Sequence, residues 1–229
     1  MFELQGYGWM LWDGVQLTLM VGLCAMVVAL AMGLLGAWGK LADSRAARAA
    51  SNTYTTVIRG VPELILILLV YYGVPTAVQE EAGGLGVDII IDFNPFIAGV
   101  LTIGFIYGAF ATEVFRGAYN AVPRGQLEAA KSVGMSRPLL ARRVLLPQMW
   151  RFALPGLGNV WMVLIKATAL ISVIQLPELM RNADIAARST RMPFTFFLLA
   201  SFIYLGITLV SMIAQHRAER WANRGVRRA

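Results

Sequence analysis

Five separate apolar stretches, each long enough to cross a hydrocarbon layer, decide what this chain can fold into. They cover residues 14–38, 54–74, 95–115, 152–173 and 193–213. At a rise of 1.5 Å per residue, about 20 helical residues span a bilayer core, and a helix satisfies its own backbone polar groups there. The rest of the composition agrees. The 229 residues are 58% hydrophobic and 14% charged, against about 45–50% and about 25% in soluble domains. Too little polar surface remains to face water. The expected fold is an all-α integral membrane protein, a single domain over residues 1–229 with five transmembrane helices.

The polar segments between the spans differ in charge. Residues 39–57, 116–151 and 214–229 hold 3, 7 and 5 Lys or Arg, whereas 1–13, 75–94 and 174–192 hold 0, 0 and 3. Cytoplasmic loops carry the excess of basic residues, so the N-terminus is expected outside and the C-terminus inside. Glu80, Glu81, Asp88 and Asp92 in the second outer segment fit that orientation. The formal charge of +7 is then a topology signal rather than a nucleic-acid surface, and Arg217, Arg220, Arg224, Arg227 and Arg228 can touch anionic headgroups. The segment before the first span carries Glu3 and Asp13 without Lys or Arg, unlike the start of a secretory signal peptide. That span is therefore expected to be retained, with Tyr7, Trp9 and Trp12 as an interfacial belt.

Several chemistries find no support in the residues. Cys24 and His216 are each the sole residue of their type, which excludes an internal disulfide and a multi-histidine metal site. Gly39-Lys40 lacks Walker A spacing, and there is no His-Glu-x-x-His or Gly-x-Ser-x-Gly. An intramembrane enzyme built on Glu113 or Lys166, and a passive channel or anchor, are the rival readings. Gly104-Phe105-Ile106-Tyr107-Gly108 is a small-xxx-small pattern that brings two helix backbones close.

The longest inward connection, residues 122–147, reads as two short helices and a turn. Pro123 suits the first helical position, Glu128-Ala129-Ala130 continue the helix, and Gly134 supplies the left-handed residue that ends it. Ser136 can cap a second helix, which holds Pro138 in its first turn and is expected to stop at Pro147. Leu139, Leu140 and Val144 give that helix an apolar stripe, while Arg142 and Arg143 face elsewhere. A DNA-binding helix-turn-helix has the same outline, but flanking spans would hold it at a lipid surface.

Glu128-Ala129-Ala130, Gly134 and Val144-Leu145-Leu146-Pro147, at this spacing, resemble the EAA loop of ABC importer permeases. Thr56–Glu63, Gly104–Ala109, Thr112–Ala118 and Ala153–Asn159 resemble the polar amino acid permeases of the histidine and lysine-arginine-ornithine type. The resemblance implies a type I ABC importer transmembrane fold in a bacterial inner membrane. It further implies docking of Glu128, Ala129, Ala130, Gly134 and Pro147 on a cytoplasmic ATPase whose closure rocks the membrane helices. The implied partners are a second homologous permease, two ATPase subunits and a periplasmic amino acid binding protein. ATP and Mg would sit on the ATPase and no cofactor on this chain. The implied cargo is histidine, lysine, arginine or ornithine, with opines or glutamine open.

Arg59, Glu63 and Lys166 fall inside apolar runs, where a central charge costs about 2.5–3.5 kcal/mol. Arg59 and Glu63, four apart, are expected to pair on one helix face, with Pro62 kinking it; Arg59 can also snorkel inward. Lys166 lies about 21 Å along its span and Glu63 about 14 Å along its own, so a bridge between these two is a second option. Carbonyl binding by Lys166 is a third. Lys166 is a candidate for the translocation pathway. Glu113 and Arg116, near the inner end of their helix, are expected to brace the loop. Five helices are few to enclose a pathway, which points to a passage between two permeases.

Overall fold

The structure is a computed structural model that describes residues 6–85 and 92–223. Glu3, Asp88, Arg224, Arg227 and Arg228 therefore lie outside the described residues. Every regular element among the described residues is helical, and five of the helices are long and apolar enough to cross a membrane.

Helix α1, Gly8–Leu41, runs beside α5, Pro95–Asn120, and the two form the centre of the molecule. Lipid tails are as apolar as leucine, so this pair is held by close packing rather than by escape from water. Glycines make that packing possible. A Cβ added to Gly104 would lie 2.5 Å from the Val28 Cβ, and one added to Gly108 would lie 2.5 Å from the Met32 Cβ and 2.8 Å from the Tyr54 hydroxyl. The small-xxx-small pattern of α5 thus seats α1. Tyr54 adds a hydrogen bond from its hydroxyl to the Phe105 carbonyl at 2.6 Å.

The second apolar stretch is not one helix. Helix α2, Arg45–Gly60, ends before Pro62, because a residue preceding proline is pushed out of the helical region; Val61 is extended at φ −105° and ψ 136°. Helix α3, Glu63–Leu68, then leads through a π-helical turn, Leu69–Gly73, into α4, Val74–Gly84. That wide turn ends just before Pro75. Proline offers no N–H and crowds the carbonyl four residues back, and the extra residue of a π turn relieves both.

The connection over residues 122–147 has the same solution at its far end. Helix α6, Arg124–Ser132, and α7, Arg137–Leu140, are followed by a π turn, Ala141–Leu145, and α8, Leu146–Ala167. The expected stop at Pro147 does not occur. Pro147 sits in the first turn of α8, just after the π turn, and the chain continues as helix into the bilayer stretch. A 3-10 segment, Thr168–Ile174, leads to α9, Leu179–Thr190, and α10, Pro193–Ala222, completes the bundle.

Helix α9 packs beside the start of α1. The Asn182 amide donates to the Met10 carbonyl at 2.7 Å, and a Cβ on Gly14 would lie 2.8 Å from the Leu179 Cα. The loop of α6 and α7 precedes α8 and α9 follows it. One membrane-length helix therefore separates these two features.

Candidate functional site

The loop between α5 and α8 is a built elbow. Pro123 is the extended residue before α6, one position earlier than expected, and Val122 beside it is buried. The far end of α6 is closed by a backbone pair: the Gly134 N–H donates to the Lys131 carbonyl at 2.9 Å and the Met135 N–H to the Ala130 carbonyl at 3.1 Å. This is the reciprocal pair that ends a helix on a left-handed residue. Gly134 has φ +81°, where other residues pay about 1–2 kcal/mol. Ser136 occupies the cap of α7 but makes no side-chain capping bond.

The elbow's two alanines do different jobs. Ala130 is buried, whereas Glu128, Ala129 and Gly134 are exposed. Leu140 of α7 is buried as well, which anchors the elbow while Lys131, Arg137, Arg142 and Arg143 stay exposed. The outcome is a fixed, mostly basic surface carrying one carboxylate and a small residue where a partner can approach closely.

The expected pair of Arg59 and Glu63 is absent. The break at Val61-Pro62 puts the two residues on different helices, so four-residue spacing no longer places them together. Glu63 instead accepts from the Tyr107 hydroxyl of α5. The Arg59 guanidinium stands 5.1 Å from the centre of the Phe110 ring, a cation–π arrangement that compensates a charge without a counterion. Nor does Lys166 bridge to Glu63. Lys166 is exposed on the same side of α8 as Asn159 and makes no salt bridge among the described residues.

Glu113 holds something other than the loop. It pairs with Lys40 of α1 and, at 2.8 Å, with Arg116 one turn along α5. The side chains of Lys40 and Glu113 are 10% and 24% exposed, so this is a nearly buried tie between α1 and α5. Beside it lies a cleft of about 360 Å³ lined by Lys40, Thr55, Thr56, Arg59, Gly60, Phe110 and Glu113.

A second polar node was missed in reading the sequence. Glu178 is fully buried at the start of α9 and accepts the Met180 and Arg181 N–H groups, both at 2.8 Å. The Tyr204 hydroxyl of α10 and the Thr18 hydroxyl of α1 reach the same carboxyl at 3.2 and 3.4 Å. Burial pushes the Glu178 carboxyl up to about 7, against the hydrogen bonds that favour its charge. A carboxylate next to Pro177 ahead of a polar helix is a cap signal; its partners, 160 residues away at Thr18, are not readable locally.

Among the described residues there is no group of three or more His, Cys, Asp or Glu that could hold a metal. Residues 16–224 match the family described as the inner membrane component of binding-protein-dependent transport systems. The chain is also 42% identical to the histidine/lysine/arginine/ornithine transport system permease protein HisQ of Escherichia coli (strain K12), over 99% of both chains. The chain belongs to the polar amino acid permeases of ABC importers.

The permease is likewise 48% identical to the nopaline transport system permease protein NocQ of Agrobacterium fabrum, over 97% of this chain and 94% of that one. Its fold matches the crystal structure of an amino acid ABC transporter with histidines, with a TM-score of 0.80 and 31% identity, covering 93% of this chain and 94% of that one. The fold is that of a type I importer permease, and its family is one of transport subunits that carry no catalytic domain. As a multi-pass membrane permease for amino acids or related opines, the chain has the elbow and the polar faces of its spans as the parts that need a role.

Proposed function

We propose that this permease couples ATP hydrolysis on a partner to solute import through the elbow of α6 and α7. The observation that carries the reading is the exposed Glu128-Ala129 edge on a helix closed at Gly134 by a reciprocal backbone pair, in a chain whose family serves binding-protein-dependent transport. A rigid elbow passes force on; a floppy tether would absorb it. In this reading the elbow faces the cytoplasm, the N-terminus lies outside and the C-terminus inside. Two ATPase subunits bear on two permeases, and the solute passes between the permeases. Disulfide crosslinking of Glu128→Cys to a cysteine in the ATPase groove tests it. Crosslinks that form in the assembled complex and change with nucleotide support the reading; none in an assembled, active complex overturns it.

Lys166 and Asn159 form a polar edge on the exposed face of α8, which suits the side turned to the other permease and the solute. Lys166→Met should reduce uptake at least several-fold with normal assembly, as expected when a fixed charge in a pathway is removed. Unchanged uptake removes Lys166 from the pathway.

The solute is an amino acid with a basic side chain or an opine. The opine reading is favoured by the 48% identity to the nopaline permease, and the amino acid reading by 42% to the histidine/lysine/arginine/ornithine permease. Competition of labelled arginine uptake by histidine, ornithine, nopaline and octopine separates the two.

A further inference from the structure

The outer segments of this chain obey the charge rule except at one place. Residues 174–192 hold 3 basic residues where the other two outer segments hold none. Topology gives no reason for them, and their arrangement is not scattered. Arg181, Asp184 and Arg188 follow one another at helical spacing along α9, on the side away from the buried Ala183 and Ala186. Arg191 extends the line just past the helix, held at φ +57°.

That side is open and shaped. The Arg188 side chain is 81% exposed although it pairs with Asp184 at 2.9 Å, a surface bridge that fixes its direction more than it adds stability. Arg188, Arg191 and Asp184 also line a cleft of about 500 Å³ whose floor is Ala187, Pro193 and Phe197. The floor is apolar and the rim is charged, the make-up of a protein contact. Behind the face, Glu178 and Asn182 pin α9 to α1 and α10, so the arginines stand on a fixed platform. In the orientation proposed above α4 lies on the same outer side, and it carries exposed Glu80 and Glu81. An anionic lipid surface would gain from the arginines and be repelled by α4 and by Asp184. A soluble protein with a patterned surface has no such conflict.

We propose that the arginine face of α9 is the docking surface for an acidic patch on the external solute-binding protein. The inference rests on the orientation proposed above and adds which element receives the binding protein and with what charge. Steering by opposite charge chiefly speeds encounter and fixes orientation, and it weakens as salt rises.

The test uses the whole importer in nanodiscs of phosphatidylcholine, with the binding protein that co-purifies with this chain as the probe. Arg188→Glu with Arg191→Glu should weaken binding on the order of tenfold and flatten its salt dependence, as expected for reversal of steering charges. Arg188→Lys with Arg191→Lys should keep binding within about twofold, since charge and not fork geometry is what steers. Should the reversed pair fail to assemble, the two Gln substitutions carry the same test. Unchanged affinity in an assembled variant overturns the proposal, and so does a loss confined to discs containing phosphatidylglycerol, which would assign the face to lipid. Labelling of Arg191→Cys, in a Cys24→Ala background, by a membrane-impermeant maleimide on intact cells separates the two levels. No labelling from outside sinks the orientation itself; labelling with unaltered binding sinks only the docking surface.

Discussion

The Tyr107 hydroxyl of α5 donates to the carboxyl of Glu63 at the start of α3, 3.0 Å from one oxygen and 3.2 Å from the other. Tyr107 is almost wholly buried. The contact is the polar fastening between the broken second span and the central pair of helices, and it answers the question of what compensates an acidic residue in an apolar stretch.

Tyr107→Phe keeps the ring and removes that donor. A part-buried acceptor left without its partner costs about 1–3 kcal/mol, so the variant should melt lower in detergent by several degrees. Glu63→Gln in the same background should recover part of the loss, because the amide is cheaper to bury than the charge.

Gly108→Ala tests the packing of α1 on α5. The new methyl would meet the Met32 Cβ at 2.5 Å and the Tyr54 hydroxyl at 2.8 Å, and neither is the free end of a flexible chain. Overpacking of this kind costs about 1–3 kcal/mol. Gly117→Ala, with nothing within 4 Å of the added carbon, is the control and should leave the melting temperature unchanged or slightly raised.

The tie between Lys40 and Glu113 predicts a non-additive pair. Lys40→Met or Glu113→Gln alone leaves one nearly buried charge without its main partner, a loss of up to about 3–5 kcal/mol for a fully buried bridge and less here. The double substitution should be more stable than the worse single one. Melting temperatures of the four proteins give the coupling directly.

Glu178 makes stability depend on pH in a stated direction. Its ordinary value is 4.5 and its folded value about 7. Below 4.5 the carboxyl is protonated folded and unfolded, and burial costs nothing through ionisation. Between 4.5 and 7 the unfolded chain releases the proton while the folded chain keeps it, so stability falls as pH rises and levels off above 7. The full drop is on the order of 3 kcal/mol. Glu178→Gln should flatten this slope in a series of thermal melts, whatever its effect on the absolute melting temperature.

Much of the fold was legible because membrane helices announce themselves in composition. The apolar runs anticipated the helices that cross, and Gly104 with Gly108 anticipated a close helix contact. The helix-turn-helix shape of the elbow, with its left-handed Gly134, was readable because capping is local chemistry. Proline was harder. Pro62 broke a run that hydropathy alone reads as continuous, while Pro147 failed to stop a helix, because a π turn before it removes the clash that would have done so. The pairs that decide the polar interior, Lys40 with Glu113 and Thr18 with Glu178, are separated by 73 and 160 residues. No periodicity reports such partners; only the packing of α1 against both ends of the bundle does.

The length of α1 has a mechanical consequence. Its 34 residues amount to about 51 Å, well beyond a hydrocarbon layer of about 30 Å. One end is wedged against the Leu179 backbone by Gly14, and the other is clamped to α5 through Lys40. A single long helix therefore touches the start of α9 at one end and the last turns of α5 at the other. A tilt of α1 as a rigid rod would move both ends together, without a relay of side chains in between.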